Sequence, residues 1–388
     1  MGSVKPVWRR VSQELEGLRS QGLYRVRRTL EGPQGVNVEV DGRPLINFSS
    51  NDYLGLASSP ALREAMIEGV QRYGVGSGAS HLICGHATPH HALEEALAHF
   101  LRRDAVLLFS TGYMANLGIV SSLCSRHDTV YQDRLNHASL IDGARLSGAR
   151  LVRYAHGTSP VIERDRHGLV VTDGVFSMDG DLANLPLLTK SSREGEALLV
   201  IDDAHGLGVI GPRGRGILEH WGMSQEDCPL LVGTLGKAFG TFGAFVAGPR
   251  DLLDFLVQKS RTYIYTTALP PALAHATLRS LSLIQAEDWR RVYLERLIHR
   301  FRAAASGLGF HLLDSESPIQ PIVIGDNGVA LAASQQLLER GFLVIPVRPP
   351  TVPKGTARLR VTLTAGHTER QVDQLLDALS DLAPGVMA

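Results

Sequence analysis

Short apolar runs alternate with helix-like segments through the middle of the chain, from about residue 100 to residue 250. These runs are rich in Val, Leu and Ile and lack polar alternation, which is typical of strands covered on both faces. Strands that alternate with helices predict right-handed crossovers and an α/β fold with a parallel sheet. The predicted strands are AVLLF (105–109), TVYQD (129–133), GLVVTDGVF (168–176), ALLVIDD (197–203), PLLVGT (229–234) and GAFVAG (243–248).

The two flanks of this central part have a different pattern. After the pair Pro270-Pro271, one long helical pattern continues to about residue 310 and leads into short strands and helices. That mixture predicts a smaller α+β domain. The N-terminal flank contains a hairpin-like NVEVDGRPLINF (37–48). We therefore predict an N-terminal arm and hairpin over residues 1–45, a large domain over 46–285 and a C-terminal α+β domain over 286–388.

Composition excludes several classes of protein. The chain has 388 residues, 44% hydrophobic and 20% charged, and its 39 basic and 39 acidic residues cancel. A nucleic-acid binder would carry a basic excess, and no apolar run is long enough to span a membrane. The N-terminus mixes acids with bases and lacks the apolar core of a secretory signal. Three cysteines without a CxxC motif fit a reducing compartment, so we expect a cytoplasmic protein.

Candidate chemistry follows the strands, because ligands bind beyond the carboxyl ends of the strands in open α/β sheets. Ser110-Thr111-Gly112-Tyr113 stands at a helix start, where free N–H groups and the helix dipole favour an anion such as phosphate. Many helices begin with such residues as a plain cap. His137 lies in the loop after the next strand, where a lone histidine is more often structural or solvated than catalytic.

Acidic and polar residues follow the next two strands. Ser177-Met178-Asp179-Gly180-Asp181 forms a polar turn, and Asp202, Asp203 and His205 follow ALLVI. A carboxylate at the end of an apolar strand is costly to bury unless it pairs with another group. A capping aspartate or an ion pair would explain Asp202 equally well.

One lysine stands in the segment LVGTLGKAFGTFGAFVAG (231–248), which otherwise consists of glycines, aromatics, threonines and small apolar residues. Lysines usually lie on the surface, but Lys237 follows a predicted strand at the same sheet edge as the groups above. Desolvation lowers the pKa of a lysine amine and makes it a nucleophile toward carbonyls and a proton carrier. The alternative is a lysine that extends from a core strand to water.

Two other motifs favour different sites only weakly. GLGVIG (206–211) fits the GxGxxG pattern of NAD-dependent oxidoreductases, but DDAH separates it from the strand and GPRGRG, which starts no helix, follows it. We interpret its glycines as a loop close to a ligand or to another subunit. His81, His86, His90 and His91 match none of the usual zinc spacings, so we expect no metal.

An anion site at a helix start, an acid, histidines and a buried lysine together indicate pyridoxal phosphate (PLP) bound through the lysine. The chain also resembles the α-oxoamine synthases, which are fold-type-I PLP enzymes. That family is typified by a large domain with a mostly parallel seven-stranded sheet and a smaller α+β C-terminal domain. The resembling motifs are NFSSNDYLGL (47–56), STGYMAN (110–116), DRLNHASL (133–140), DGVFSMDGD (173–181), DDAHGLG (202–208), GTLGKAFG (233–240) and RPPTVPKGTARLRVTLTAGHT (348–368).

The resemblance implies roles for individual residues. It implies that Lys237 is the attachment point of PLP and the proton carrier, and that Asp202 contacts the ring nitrogen. It implies that His137 stacks on the ring and borders the substrate. His205 completes the implied catalytic set. The resemblance also implies that Ser177 and His205 contact the phenolic oxygen of PLP. It implies that the phosphate is bound by Gly112, Tyr113 and Thr234. Either Thr266 or Thr267 of a second subunit is implied as a further phosphate contact. The implied substrate contacts are Arg360 and Asn51 at the amino-acid carboxylate, with His137, Arg25 and Thr351.

The C-terminal motif and IGDNGVAL (324–331) are most similar to the branch of the family that condenses L-alanine with a pimeloyl thioester during biotin synthesis. The resemblance leaves open whether CoA or acyl carrier protein carries the pimeloyl group, and it implies a homodimer with shared active sites.

The alternative function is that of a sister synthase of the glycine C-acetyltransferase or 5-aminolevulinate synthase type, which uses glycine and another acyl-CoA. A non-catalytic partner subunit should lack the lysine, but Lys237 is present. Leu207 and His86 depart from the family pattern.

Overall fold

The computed structural model describes residues 7–386 and is built around one seven-stranded sheet with the order β4-β10-β9-β8-β7-β5-β6. All its strands run parallel except β10, which pairs antiparallel with β4 and β9. This confirms the mostly parallel seven-stranded sheet. Its strands are β4 (Ala105–Phe109), β5 (Thr129–Asp133), β6 (Arg150–Tyr154), β7 (Gly168–Asp173), β8 (Leu198–Asp202), β9 (Leu230–Thr234) and β10 (Ala244–Gly248).

The sheet is apolar on both faces, as the unbroken runs of Val, Leu and Ile predict. Side chains from β7 alternate between two hydrophobic clusters, with Val170 in one and Val171 in the other. β6 was not predicted, because RLVRY is an edge strand that mixes charged and apolar residues and has only Tyr154 buried. Register pairs Asp173 with Asp202 at the carboxyl ends of β7 and β8.

Helices cover the faces of the sheet and form much of the smaller lobe. Those that precede or cover the sheet are α1 (Val7–Ser20), α2 (Pro60–Tyr73), α3 (Thr88–Leu101), α4 (Gly112–Leu123), α5 (Ala138–Ser147), α6 (Leu185–Glu194), α7 (Ile217–His220), α8 (Arg250–Lys259), α9 (Arg261–Ile264) and α10 (Pro271–Ala286). The later helices are α11 (Trp289–Gly307), α12 (Asn327–Glu339) and α13 (Glu369–Val386), and a π-helical turn spans His81–Gly85.

The long helical pattern after Pro270 is two helices, because the chain breaks at Glu287-Asp288 between α10 and α11. The smaller lobe then contains a four-stranded sheet with the order β11-β12-β15-β14. Its strands are β11 (His311–Leu312), β12 (Ile319–Gly325), β14 (Ile345–Val347) and β15 (Ala357–Thr362). This agrees with the expected smaller C-terminal α+β unit.

The predicted N-terminal hairpin is present and pairs with the C-terminal part of the chain. Its strands belong to a sheet with the order β1-β2-β3-β13. They are β1 (Leu30–Glu31), β2 (Asn37–Val40), β3 (Arg43–Asn47) and β13 (Phe342–Leu343). Because β3 and β13 pair in parallel, residues from both ends of the chain share this sheet. The domain limits at 45/46 and 285/286 stay predictions, and residues 1–6 and 387–388 lie outside the described range.

Within residues 7–386, no helix is both long enough and apolar enough to cross a membrane.

Candidate active site

Residues that follow five strands meet at the carboxyl edge of the large sheet. The loop after β9 carries Lys237, and its Nζ lies 2.8 Å from Nε2 of His205, which follows β8. Burial lowers the pKa of Lys237 to about 8, although nearby carboxylates, Asp202 first, raise it. The amine therefore loses its proton far more readily than a solvated lysine does, which explains how a lysine can occupy this apolar segment.

Asp202 is the buried carboxylate of the site, at the end of β8. Its Oδ2 accepts a hydrogen bond of 2.5 Å from Nδ2 of Asn116, and its Oδ1 accepts one of 3.0 Å from the amide of Ala204. Asn116, on α4, also donates to Oγ of Ser139 at 2.9 Å. These donors fix the carboxylate, and sequence reasoning missed Asn116 because it stands 86 positions before Asp202.

His137 caps the start of α5 and points its ring toward the same edge. Its backbone amide donates to Oδ2 of Asp173 at 2.7 Å, and the amide of Ser139 donates to its Nδ1 at 3.3 Å. Burial lowers the pKa of the imidazole, so the ring is neutral near pH 7. Burial and the neighbouring Asp202 raise the pKa of Asp173 well above its ordinary value. Asp173 thus holds His137 without adding a second full negative charge beside Asp202.

His205 is fully enclosed between Lys237 and a residue that sequence reasoning missed. Its Nδ1 lies 2.5 Å from the hydroxyl of Tyr53, and that hydroxyl lies 3.3 Å from Oδ1 of Asn51. Burial and the nearby cations, led by Lys237, lower the pKa of His205 well below its ordinary value. Tyr53 stands in the motif NFSSNDYLGL, but nothing local in that motif distinguishes a phenol that packs from one that bonds a histidine.

The start of α4, predicted as an anion site, has a capped first turn that faces open space. The side chain of Thr111 caps the helix and accepts from the amide of Met114 at 3.2 Å, while the amides of Gly112 and Tyr113 belong to the first turn. No atom lies within 4 Å of the position that a Cβ on Gly112 would take. Unpaired N–H groups of a first turn that face open space suit a phosphate. Thr234, at the end of β9, lies in the turn that leads to Lys237 and donates to the carbonyl of Gly243 at 3.1 Å.

Arg360 reaches the site from β15 in the smaller lobe. Its Nε donates to the carbonyl of Ser177 at 2.7 Å, and its two terminal nitrogens donate to Oδ1 of Asn51 at 3.1 Å and to Oγ1 of Thr362 at 2.9 Å. A guanidinium has five N–H groups, so two stay available for a carboxylate. The structure thereby brings Arg360, Asn51 and Ser177 together, as the resemblance implies.

Arg25 and Thr351 lie at a separate small pocket of about 200 Å³ between the N-terminal segment and β14. The guanidinium of Arg25 donates to Oγ1 of Thr351 at 3.4 Å. Arg348, which sequence reasoning did not single out, lines the same pocket, donates to the carbonyl of Gly22 and has its Nε buried without a partner. Apolar walls surround these cations, with Leu23, Met178, Ile345, Pro346, Val347 and Pro349 as lining residues.

Thr267 lies beside the anion site of its own chain. The hydroxyl of Ser110 donates to the carbonyl of Thr267 at 3.1 Å, and the side chain of Thr267 is exposed, whereas Thr266 is partly buried. Which of these two threonines reaches the phosphate held by a second subunit stays a prediction.

Close packing and local hydrogen bonds account for the two weaker motifs. A Cβ on Gly206 would lie 2.1 Å from Oδ1 of Asp203, so this glycine of GLGVIG makes room for the carboxyl of Asp203. That carboxyl is buried, and burial raises its pKa.

His81, His86 and His90 lie close together, but the ring of His90 accepts from the amide of Ala87 at 2.9 Å and faces the carbonyl of Leu269 at 2.7 Å. Both its nitrogens therefore have partners, and the expectation of no metal stays a prediction.

The residues at the sheet edge fit PLP. A lysine with a lowered pKa, a buried carboxylate fixed by two donors and an open helix start supply the three features that this group needs: an amine, an acid and an anion cradle. Oδ1 of Asn116, beside Asp202, is buried without a partner, so one polar atom next to the carboxylate lacks a hydrogen bond.

Comparison with known proteins agrees with this arrangement. The model of the family "Aminotransferase class I and II" matches residues 43–379. An 8-amino-7-oxononanoate synthase of Methylococcus capsulatus is 60% identical over 376 residues, which are 95% of this chain and 97% of that protein. A serine palmitoyltransferase structure from S. paucimobilis with a bound PLP–myriocin adduct has a TM-score of 0.92 and 28% identity, covering 99% of each chain. An 8-amino-7-oxononanoate synthase structure from Francisella tularensis has a TM-score of 0.77 and 33% identity, covering 89% of this chain and 99% of that one.

Proposed function

The chain belongs to the aminotransferase class I and II family, as a PLP-dependent acyltransferase of the 8-amino-7-oxononanoate synthase type, and we propose that the residues around Lys237 form its active site. The proposed substrates are L-alanine and a pimeloyl thioester. A bond forms between the alanine α-carbon and the thioester carbonyl, and the thiol leaves. The alanine carboxylate is lost as CO₂, the α-carbon takes up a proton in its place, and 8-amino-7-oxononanoate is the product.

When bound, PLP withdraws electrons from the α-carbon of the amino acid and makes its proton acidic. We assign Asp202 to the ring nitrogen, because it is a buried carboxylate that two donors hold in place. Gly112, Tyr113 and Thr234 are assigned to the phosphate, and Thr267 of a second subunit is the proposed further contact. His205 and Ser177 are the proposed donors to the phenolic oxygen.

Lys237 is the proposed attachment point of the cofactor and, once displaced by alanine, the base that takes the α-proton. Its lowered pKa of about 8 supports this role, because a base that works near neutral pH needs a pKa close to that pH. His137 lies on the opposite side of Asp202 from the lysine loop in the order of the strands, and its neutral ring is the proposed stacking partner. His205 keeps the amine in place through the 2.8 Å contact.

Arg360 and Asn51 are the proposed binding groups for the alanine carboxylate. Three of the five N–H groups of Arg360 are used to fix the guanidinium, so it is held rigidly and still has two donors for substrate. Rigid placement lowers the entropy that binding would otherwise cost.

The pocket at Arg25 and Arg348 supports a dicarboxylic acyl donor. Its apolar walls suit a methylene chain, and two guanidinium groups at one place suit a terminal carboxylate. An acetyl group has no such carboxylate, and a succinyl chain has fewer methylenes to place against apolar walls. This favours pimeloyl over the acyl groups of the sister synthases.

The single observation that carries the proposal is the convergence of Lys237, His205 and Asp202 at one sheet edge beside an open helix start. Turnover tests it directly. We expect purified protein with PLP to form 8-amino-7-oxononanoate from L-alanine and either pimeloyl-CoA or pimeloyl-acyl carrier protein, and the two donors are compared in parallel. Product from glycine with acetyl-CoA or succinyl-CoA, and none from alanine with either pimeloyl donor, would contradict the substrate assignment and favour a sister synthase.

We also propose a homodimer that acts in the cytoplasm. Four exposed apolar side chains lie within five residues along the chain of Ser80 or Thr267, which form a β-bridge with each other. They are Val75, Leu82, Ile83 and Tyr265. Light scattering after size exclusion should give twice the 42.0 kDa of one chain. A mass of one chain at micromolar concentration would contradict the dimer.

A further inference from the structure

A line of close polar contacts crosses the site from Lys237 to Arg360, and its central member, Tyr53, has no assigned role and has one hydrogen to donate to either neighbour. The distances are 2.8 Å from Lys237 Nζ to His205 Nε2, 2.5 Å from His205 Nδ1 to the hydroxyl of Tyr53, and 3.3 Å from that hydroxyl to Oδ1 of Asn51. Arg360 donates to the same Oδ1 at 3.1 Å. Tyr53 is completely buried, so water does not compete for its hydroxyl.

The ring of His205 is neutral, and every charged or titratable side chain that faces it favours that state. Burial is the main cause of its lowered pKa, Lys237 and Arg360 lower the pKa further through their positive charges, and His137 is the other titratable neighbour. A neutral imidazole has one N–H donor and one acceptor nitrogen. The group bonded to Nδ1 therefore decides which nitrogen carries the hydrogen and what Nε2 can do.

The distances indicate that Tyr53 is the donor to Nδ1. A hydroxyl that donates lies closer to its acceptor than an N–H does, and 2.5 Å is at the short limit for a strong O–H donor. Asn51 does not need the phenol hydrogen, because Arg360 already donates to its Oδ1. With Nδ1 as acceptor, Nε2 carries the hydrogen and directs it to Lys237, whose amine accepts it when unprotonated.

We propose that Tyr53 is a positioning residue that holds His205 in the Nε2–H tautomer, so that the ring donates a hydrogen bond into the space beside Lys237. The proposal deepens the proposed function, because the phenolic oxygen of PLP is the group assigned to receive this bond. Without the phenol, Nδ1 would be a buried acceptor with no donor, and the ring could carry its hydrogen on either nitrogen.

The Tyr53→Phe variant tests the consequence. A hydrogen bond donated to the phenolic oxygen disfavours a proton on the nearby lysine-bound nitrogen, so a weaker donor should raise the midpoint at which the visible absorbance of the holoenzyme changes with pH. We expect that midpoint to rise by about one pH unit and kcat to fall about tenfold, since one unit of pKa and a tenfold rate change correspond to similar energies. KM for alanine should change less than about twofold, because Arg360 keeps its other anchors.

Tyr154→Phe is the matched control. Tyr154 is also buried, but its hydroxyl lies near Thr172 and makes no hydrogen bond to His205 or Lys237. Its removal should leave the absorbance midpoint and kcat unchanged. A midpoint for Tyr53→Phe that coincides with those of wild type and Tyr154→Phe, with PLP bound, would overturn the proposal.

A second measurement is made on the wild-type protein and does not depend on the folding of Tyr53→Phe. In ¹⁵N-histidine-labelled wild-type protein, the ring signals of His205, assigned by their loss in His205→Asn, should show an unprotonated Nδ1 and a protonated Nε2. A protonated Nδ1 would overturn the proposal. Failure to find PLP on Lys237 would instead contradict the proposed function, and the tautomer of the cofactor-free protein, measured above about pH 9 where the Lys237 amine is unprotonated and can accept from Nε2, would still test the bond from Tyr53.

Discussion

The sheet edge around Lys237 and the small pocket around Arg25 and Arg348 differ in how firmly their polar side chains are held. At the sheet edge, Asp202, His205 and Arg360 are buried and each has at least two hydrogen-bonded neighbours. In the pocket, Arg25 is exposed and has one long contact to Thr351. The comparison suggests that chemistry at the edge depends on groups fixed in advance, whereas the pocket can adapt to a chain.

The largest expected effect is at the edge. Lys237→Ala removes the proposed attachment point and base, and we expect kcat to fall at least about 10³-fold with loss of the yellow colour of the bound cofactor. Lys190→Ala, at an exposed lysine on α6, is the control and should retain both. Turnover by Lys237→Ala within tenfold of wild type would show that the edge is not the centre of the chemistry.

The adjacent residues Asp202 and Asp203 test whether negative charge at the sheet edge is needed for turnover. Asp202→Asn removes a carboxylate that two donors hold, and we expect kcat to fall about 10²-fold. Burial raises the pKa of Asp203 well above its ordinary value, so we expect an uncharged amide to be a close substitute for this carboxyl. Steady-state kinetics should therefore show a loss below about threefold for Asp203→Asn. Equal losses at both positions would contradict the assignment.

The pocket should affect binding more than rate. Arg348→Met removes one of two cations from apolar walls, and we expect KM for the pimeloyl thioester to rise about tenfold with kcat nearly unchanged, since a charge-assisted hydrogen bond contributes about 1.5–3 kcal/mol. Arg63→Met, at an exposed position on α2, serves as the control. An unchanged KM in Arg348→Met would mean that the acyl chain binds elsewhere.

The smallest effect concerns pH and the lysine alone. The neutral amine is the nucleophile, so the rate at which cofactor-free protein binds PLP covalently should rise about fivefold between pH 7 and pH 8 and level off above the pKa of Lys237, about 8. Stopped-flow absorbance follows this reaction. A tenfold rise per unit that continues beyond pH 9 would indicate an unperturbed lysine.

The same comparison explains what the sequence could predict. Lys237, Asp202 and His205 are recognisable because each directly follows an apolar strand, and the parallel sheet places all strand ends together. Tyr53 and Asn116 were missed because their partners lie 152 and 86 positions away, and no local pattern encodes such pairs.

The pocket was predicted only in part, for the same physical reason. The resemblance identified Arg25 and Thr351 as substrate contacts. Arg348 lies beside them only because the N-terminal segment packs on β14, and Arg25 and Thr351 themselves stand 326 positions apart in the chain. The break between α10 and α11 was also missed, since a continuous helical pattern does not reveal where a two-residue turn interrupts it.

The central claim is that PLP is bound covalently to Lys237, and borohydride reduction tests it most directly. The holoenzyme is reduced, digested and analysed by mass spectrometry, with the other four of its five lysines as internal controls. We predict a pyridoxyl group on Lys237 alone. A label on any other lysine, or on none, would contradict the account.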